Sequence, residues 1–209
     1  MLEDEPLLAE ALLTAGFALA VKPGTWARSN VQIDLMVPMS LGGPGRRSAR
    51  LGPHGTEVAR KAKGLEAAIV DNDVVTLMAL DPSDPRVIDV AIAGVGALLV
   101  AKLHKLAERE ETPARWSPKD GLDILRVLQS GDLHQLGVTL ARLEHHAMAG
   151  PVTKEARQYL RRLFGTRDAH GVAMAVRASV EVEDADTIAL ACETLANRLL
   201  VVWETALAE

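Results

Sequence analysis

Phosphate-binding chemistry is the first thing the residue types of this sequence allow. The run Gly42-Gly43-Pro44-Gly45-Arg46-Arg47 sets three glycines and a proline directly ahead of two guanidinium groups. Backbone amides in a glycine loop, followed by arginines, can cradle a phosphate. The Lys-Ser/Thr of a P-loop is missing, and a flexible surface loop fits the same residues. Arg46, Arg47, Arg50, Arg60, Lys61 and Lys63 fall close together, with Glu57 the only acid between them. Such a patch can meet a phosphate on an otherwise acidic chain.

A second set of cations has helical spacing. Lys102, Lys105 and Arg109 stand at i, i+3 and i+7 and therefore share one helix face. Two readings stay open for Asp120. Ser117-x-x-Asp120 has the form of a capping box, in which the acid reaches back to the N-cap amide. The acid is equally placed to do chemistry, and Asp123 lies one turn on. Asp34 is the single acid in the alternation Val31 to Val37, where Val31, Ile33, Leu35 and Val37 share a face. It is either a solvent-side residue of an amphipathic strand or a functional carboxylate. Asp71-Asn72-Asp73 reads as a hairpin turn, because Asp and Asn bond locally to the backbone. His145 and His146 are adjacent, so on a helix they point about 100° apart and make a poor metal pair.

These residues need elements to hold them. Apolar residues recur at helical spacing from Pro6 to Ala15, and Gly16 supplies a C-cap. Strands are expected at Phe17–Val21 and Val31–Val37, with a turn at Lys22–Thr25 and a loop from Pro38 to Pro53. Leu65–Val70, Val74–Leu80 and Arg86–Ile92 read as further strands, the last two joined by the turn Asp81–Pro85. Short turns imply a largely antiparallel sheet. A helix from about Gly94 to Glu110 follows, then a break at Thr112-Pro113 and a helix opened by Ser117-Pro118. More helices are expected near 132–147, 152–164, 168–178 and 184–207. The last carries Ile188, Ala191, Leu195, Leu199 and Val202 as a buried stripe. The expected division is an α/β part at 1–110 and a helical part at 111–209, so the fold class is α+β.

Composition narrows the function. The 209 residues are 48% hydrophobic and 24% charged, the balance of a globular chain. Aromatic residues are 3%, too few for the stacking surface of a single-strand binder. A net charge of −5 argues against a broad nucleic-acid face. Cys192 is the only cysteine, which precludes an internal disulfide and suits a reducing compartment. With nothing nearby to lower its pKa, it reads as a small core residue. No segment has the length to cross a bilayer, and Met1-Leu2-Glu3-Asp4-Glu5 is acidic where a secretory signal is basic. A cytoplasmic protein with no membrane partner is expected.

Three stretches carry a resemblance: Val31-Gln32-Ile33-Asp34-Leu35-Met36-Val37-Pro38, Ala101-Lys102-Leu103-His104-Lys105, and Lys119-Asp120-Gly121-Leu122-Asp123-Ile124-Leu125. Together they resemble the AbiEii/MenT-like nucleotidyltransferases. That group of the DNA polymerase β superfamily includes toxins of toxin–antitoxin systems. In it a helix lysine is followed by a basic-Asp-x-x-Asp-apolar segment. The resemblance spans roughly residues 5 to 130. It implies a mixed sheet with flanking helices, then a helical bundle. It also implies transfer of a nucleotidyl group from a nucleoside triphosphate to a hydroxyl of an RNA or protein acceptor. Mg2+ or Mn2+ ions about 4 Å apart would assist. By position, Asp34 matches a metal-holding carboxylate, Lys102 the helix lysine and Asp120 the acid that follows it. Lys105, Arg46 and Arg47 are the further candidates for the nucleotide.

The family's leading Gly-Ser or Gly-Gly with Asp-x-Asp belongs ahead of the first helix and is not among these residues. That leaves a non-catalytic relative, acting as a binding or assembly partner, as the alternative. A helical interaction module with a small sheet appended is a third reading. An antitoxin partner, or a homodimer formed over an uncovered sheet, would suit the same family. If Asp34 and Lys102 serve one site, they should approach one another.

Overall fold

The structure is a computed structural model and describes residues 4–110, 112, 115–179 and 183–209. Pro113 of the expected break and the first three residues of the acidic N-terminus lie outside these. A mixed α/β region with three small sheets is followed by a bundle of α-helices. The contacts divide the chain into two compact units, Met1–Leu65 and Glu66–Glu209. The division expected at 110–111 therefore falls inside the second unit.

In the first unit, helix α1 (Leu8–Thr14) precedes three antiparallel strands, β1 (Ala18–Leu19), β2 (Thr25–Arg28) and β3 (Val31–Asp34). The single strand expected at Val31–Val37 is split. Past Asp34 the chain leaves that sheet, and β4 (Met36–Pro38) pairs in parallel with β5 (Arg60–Ala62). Leu35 is the junction. Its amide donates to the Gly24 carbonyl at 2.7 Å, and its carbonyl accepts from the Arg60 amide at 3.0 Å. Trp26 fills the small core with Ala49, Val58 and Ala59. Its indole nitrogen donates to the Val58 carbonyl at 3.0 Å, so the one polar atom of the ring is satisfied on burial.

The chain enters the second unit through a 3₁₀ turn, Leu65–Ile69, where a strand was expected. An apolar run of this length has no decisive period. The Asn72 side-chain amide decides it by donating to the Ala68 and Ile69 carbonyls, which ends the turn in place of a ladder. Strands β6 (Asn72–Met78) and β7 (Val87–Ala93) form a hairpin. The expected single mixed sheet is thus three separate ones.

Helices α2 (Val95–Glu110), α3 (Pro118–Gln129), α4 (Leu133–His145), α5 (Gly150–Phe164), α6 (His170–Ser179) and α7 (Ala185–Leu207) complete the unit. Their apolar stripes meet in one core holding Leu99, Leu103, Leu140, Leu160, Phe164 and Trp203. On α7 the buried line runs through Ile188, Cys192, Ala196, Leu199 and Trp203. Two residues of the expected stripe, Ile188 and Leu199, lie on it, while Ala191, Leu195 and Val202 flank it. Among the described residues no helix is long and apolar enough to cross a membrane.

Gly24 carries the junction of the first unit. It sits at φ +74, and a Cβ there would stand 2.6 Å from the Leu35 carbonyl oxygen and 2.7 Å from the Arg60 amide nitrogen. Both the positive φ and the close approach require glycine. Gly24→Ala is therefore expected to destabilise the first unit by about 2–3 kcal/mol, the combined effect of strain and displaced strands. Urea unfolding followed by the nuclear magnetic resonance signal of the Trp26 indole N–H, resolved from those of Trp116 and Trp203, checks this, and a midpoint equal to that of the native protein would contradict it.

Candidate functional site

The helix α2 separates its residues by face. Leu99, Leu103 and Leu106 are buried in the core, while Lys102, Lys105 and Arg109 point to one side of it. The start of α2 is set by Asp71. Its carboxylate accepts from the Ala97 amide at 2.7 Å, placing negative charge at the positive end of the helix. Gly94 leaves the room for that carboxylate, since a Cβ there would collide with it. Asp71-Asn72-Asp73 is thus a junction between the 3₁₀ turn and β6, and the hairpin-turn reading is corrected.

Helix α3 runs back along the cationic side of α2. The Lys102 ammonium donates to Asp123 Oδ2 at 2.9 Å, Lys105 Nζ lies 2.8 Å from Asp120 Oδ1, and Arg109 binds the other Asp120 oxygen. Positions rising along α2 meet positions falling along α3, so the two helices are antiparallel and the ion pairs form a ladder. The capping reading of Asp120 does not hold. Ser117 makes no side-chain cap bond, and both Asp120 oxygens are turned to α2. Spacing alone suits either geometry. What decides is burial. The Asp120 side chain is 6% exposed, and a carboxylate that dry needs partners. Two cations supply them.

Asp123, one turn on from Asp120, completes the ladder. Burial pulls its pKa upward, but the hydrogen bond from Lys102 and the charges of Lys102, Lys119 and Lys105 outweigh this and hold the carboxyl below its usual value. Each lysine faces a single carboxylate oxygen. An ammonium has three N–H donors, so Lys102 and Lys105 keep capacity for another anion. The Lys105 side chain is 48% exposed and can reach one. Counting Lys119 and Arg126, five cations face two carboxylates, and the positive charge is in excess.

In the first unit, Asp34 ends β3. Its Oδ1 accepts from the Thr25 hydroxyl at 2.7 Å, its directly opposite partner on β2, and its Oδ2 from Arg60 at 3.3 Å. The Gly42–Arg47 loop has an unexpected fastener. Lys61, counted in the sequence as part of the basic patch, is buried and donates to the Gly43 carbonyl at 2.7 Å and to the Gly45 carbonyl. It builds the loop and is spent. Arg46, Arg47 and Arg50 remain exposed, with no side-chain partner among the described residues, beside a recess of about 310 Å3 that Ser48 and Thr56 also line.

Of the residues singled out in the sequence, Lys102, Lys105 and Asp120 come together in the second unit, joined by Arg109 and Asp123. Asp34 belongs to the first unit with Arg60, and Arg46 and Arg47 belong there with Arg50. As a metal ligand Asp34 is one carboxylate with a bond already on each oxygen. Mg2+ is commonly held by one or two carboxylates plus phosphate and water oxygens, so Asp34 can contribute to such a site but does not make one. Among the described residues no group of three or more His, Cys, Asp or Glu side chains is placed to hold a metal. His146 is used otherwise: its Nδ1 accepts from the Met148 amide at 3.2 Å and caps the turn ahead of α5. Cys192 is buried, which pushes its thiol up to about 11 and leaves it inert at neutral pH.

Compared with known proteins, the chain matches no family model, no curated protein and no solved structure.

The depressed pKa of Asp123 gives a stability test. Its folded value lies below that of the unfolded chain, so the contribution is fully present above about pH 3.9 and is lost as pH falls through the folded value. Asp123→Asn is expected to lower stability at pH 7 by about 1 kcal/mol, a partly exposed pair being screened. Urea midpoints of both proteins measured from pH 7 downward should converge below about pH 3.9. A gap that persists unchanged in acid would contradict the ladder's electrostatics.

Proposed function

We propose that this protein is a nucleotidyltransferase-like enzyme that takes a nucleoside triphosphate through the α2–α3 ladder and passes a nucleotidyl group to a hydroxyl acceptor. The observation that carries the reading is the ladder itself. Lys102 and Asp120, which the family resemblance assigns, and Lys105, which shares the helix face of Lys102, stand in one cluster. The cluster has surplus positive charge and unspent ammonium donors.

The chemistry needs what such a cluster offers. The acceptor oxygen bonds to the α-phosphorus, its proton passes to solvent, and the bond from that phosphorus to the bridging oxygen breaks, releasing pyrophosphate. Negative charge grows on the leaving pyrophosphate, and fixed cations stabilise that charge without having to reorganise. Asp120 and Asp123 hold the cations in fixed positions, at the cost of weakening the field a phosphate feels. A divalent Mg2+ or Mn2+ ion, which the resemblance implies, supplies further charge neutralisation.

Binding and transfer are tested separately. Calorimetric titration with ATP and Mg2+ should show binding that Lys102→Ala weakens by about tenfold, the loss of one charge-assisted contact. Asp123→Asn should strengthen it, because a competing carboxylate is gone while the ammonium stays. Equal affinities of all three proteins would remove the ladder from the nucleotide site. Labelled triphosphate incubated with RNA or protein extract then reads transfer. Binding that follows the ladder variants without any transfer would make the protein a non-catalytic relative.

A further inference from the structure

The β6–β7 hairpin carries large apolar side chains on both sides, and most of them are exposed. In its register Val75 faces Val90 and Leu77 faces Ile88, with Ile92 alongside, so these five side chains share one face. Val74, Met78 and Val87 lie on the other, around the Thr76 hydroxyl that donates to Asp89 at 2.6 Å. Ile88 is 62% exposed, Val74 69% and Met78 78%. A two-stranded hairpin on its own is marginal in water, and this one has the surface of a buried strand pair.

Its edges are open as well. The sheet has two strands, so each presents a row of unpaired backbone amides and carbonyls. Soluble proteins guard such edges with lysine, proline or a bulge. Neither Asn72–Met78 nor Val87–Ala93 contains lysine, arginine or proline, and the seven pairs run without a bulge.

Charge and area select the occupant. The hairpin carries Asp73, Asp81, Asp84 and Asp89 against a single cation, Arg86, and that guanidinium is already bound to Asp84. A second copy would bring acid against acid. Strand geometry gives each face about 230 Å2, so two copies packed face to face would bury on the order of 460 Å2 in all, less than half of the ~1,000 Å2 a stable interface needs. An added strand instead gains main-chain hydrogen bonds along the whole edge.

We propose that the β6–β7 hairpin is a docking element for another protein, which contributes an extended apolar segment flanked by lysine or arginine and pairs it with a free edge. The flanking cations meet the aspartates at the two ends of the hairpin, and alternate apolar side chains cover the face of Val75, Leu77, Ile88, Val90 and Ile92. This inference is independent of the nucleotide reading and does not involve the α2–α3 ladder.

The test uses the full chain and two fluorescent synthetic peptides with the same alternating Val-Thr-Ile-Thr-Val core, one flanked by lysine pairs and one by glutamate pairs. Anisotropy titrations should give at least about tenfold tighter binding for the lysine peptide, weakening as salt is raised. Ile88→Lys should abolish it with the helical circular dichroism intact. Because that variant could unfold the hairpin, Asp73→Lys/Asp81→Lys, one substitution at each end, is the second arm and should reverse the preference toward the glutamate peptide. Equal affinity for both peptides, or binding of neither, overturns the proposal. A dimer in sedimentation velocity that Ile88→Lys dissociates also overturns it, in favour of a second copy.

Discussion

The buried carboxylate of Asp120 is the constraint from which the arrangement of the second unit's polar side follows. A charge that dry is tolerable only when paired, and its two partners come from successive turns of α2. Holding both fixes the axial register of α3 against α2. That register in turn brings Asp123 opposite Lys102. The opposite sides of the same helices, Leu103 and Leu106 on α2 and Ile124 and Leu128 on α3, are packed in the core. Apolar packing holds the helices together, and the ion pairs set which residues face each other. Hydrophobic burial is non-directional and would tolerate a shift of one turn that the ladder does not.

The first unit uses a different device for the same end. Its loop of glycines is closed from inside by a lysine whose charge is satisfied by two carbonyl oxygens. With Lys61 committed inward, the three arginines on the loop are left facing outward. Charge count in a sequence therefore overstates the patch: Lys61 and Arg60 are occupied, one by the loop and one by Asp34. What remains for an anion is Arg46, Arg47 and Arg50 on their recess.

Long periodic segments were legible in the sequence. All six helices from Val95 onward lie within a few residues of where the apolar spacing puts them, because each buries a stripe that the 3.6-residue period reveals. Of the short strands, β1 and β3 were legible and two others were not. β2 and β5 are four and three residues long and owe their conformation to partners that the local sequence does not show. The junction at Leu35 was hidden for the same reason, since the alternation Val31 to Val37 continues unbroken through a change of sheet. At the candidate site the cation face of α2 was readable from spacing. The role of Asp120 was not, because a capping box and an interhelical ion pair require the same residue types. Only burial and the position of α2 distinguish them. Asp123 could have been ranked higher by noting that an antiparallel neighbour of α2 would face its cations with residues one turn apart.

The account rests on α2 offering its lysine ammonium groups, while still paired to α3, to a triphosphate. Nuclear magnetic resonance of 15N-labelled lysine side chains observes those groups directly. Titration with ATP is predicted to shift the Lys102 and Lys105 ammonium signals together and to leave that of Lys154, on α5, in place. Unmoved Lys102 and Lys105 signals at saturating nucleotide, or equal shifts at Lys154, would contradict it.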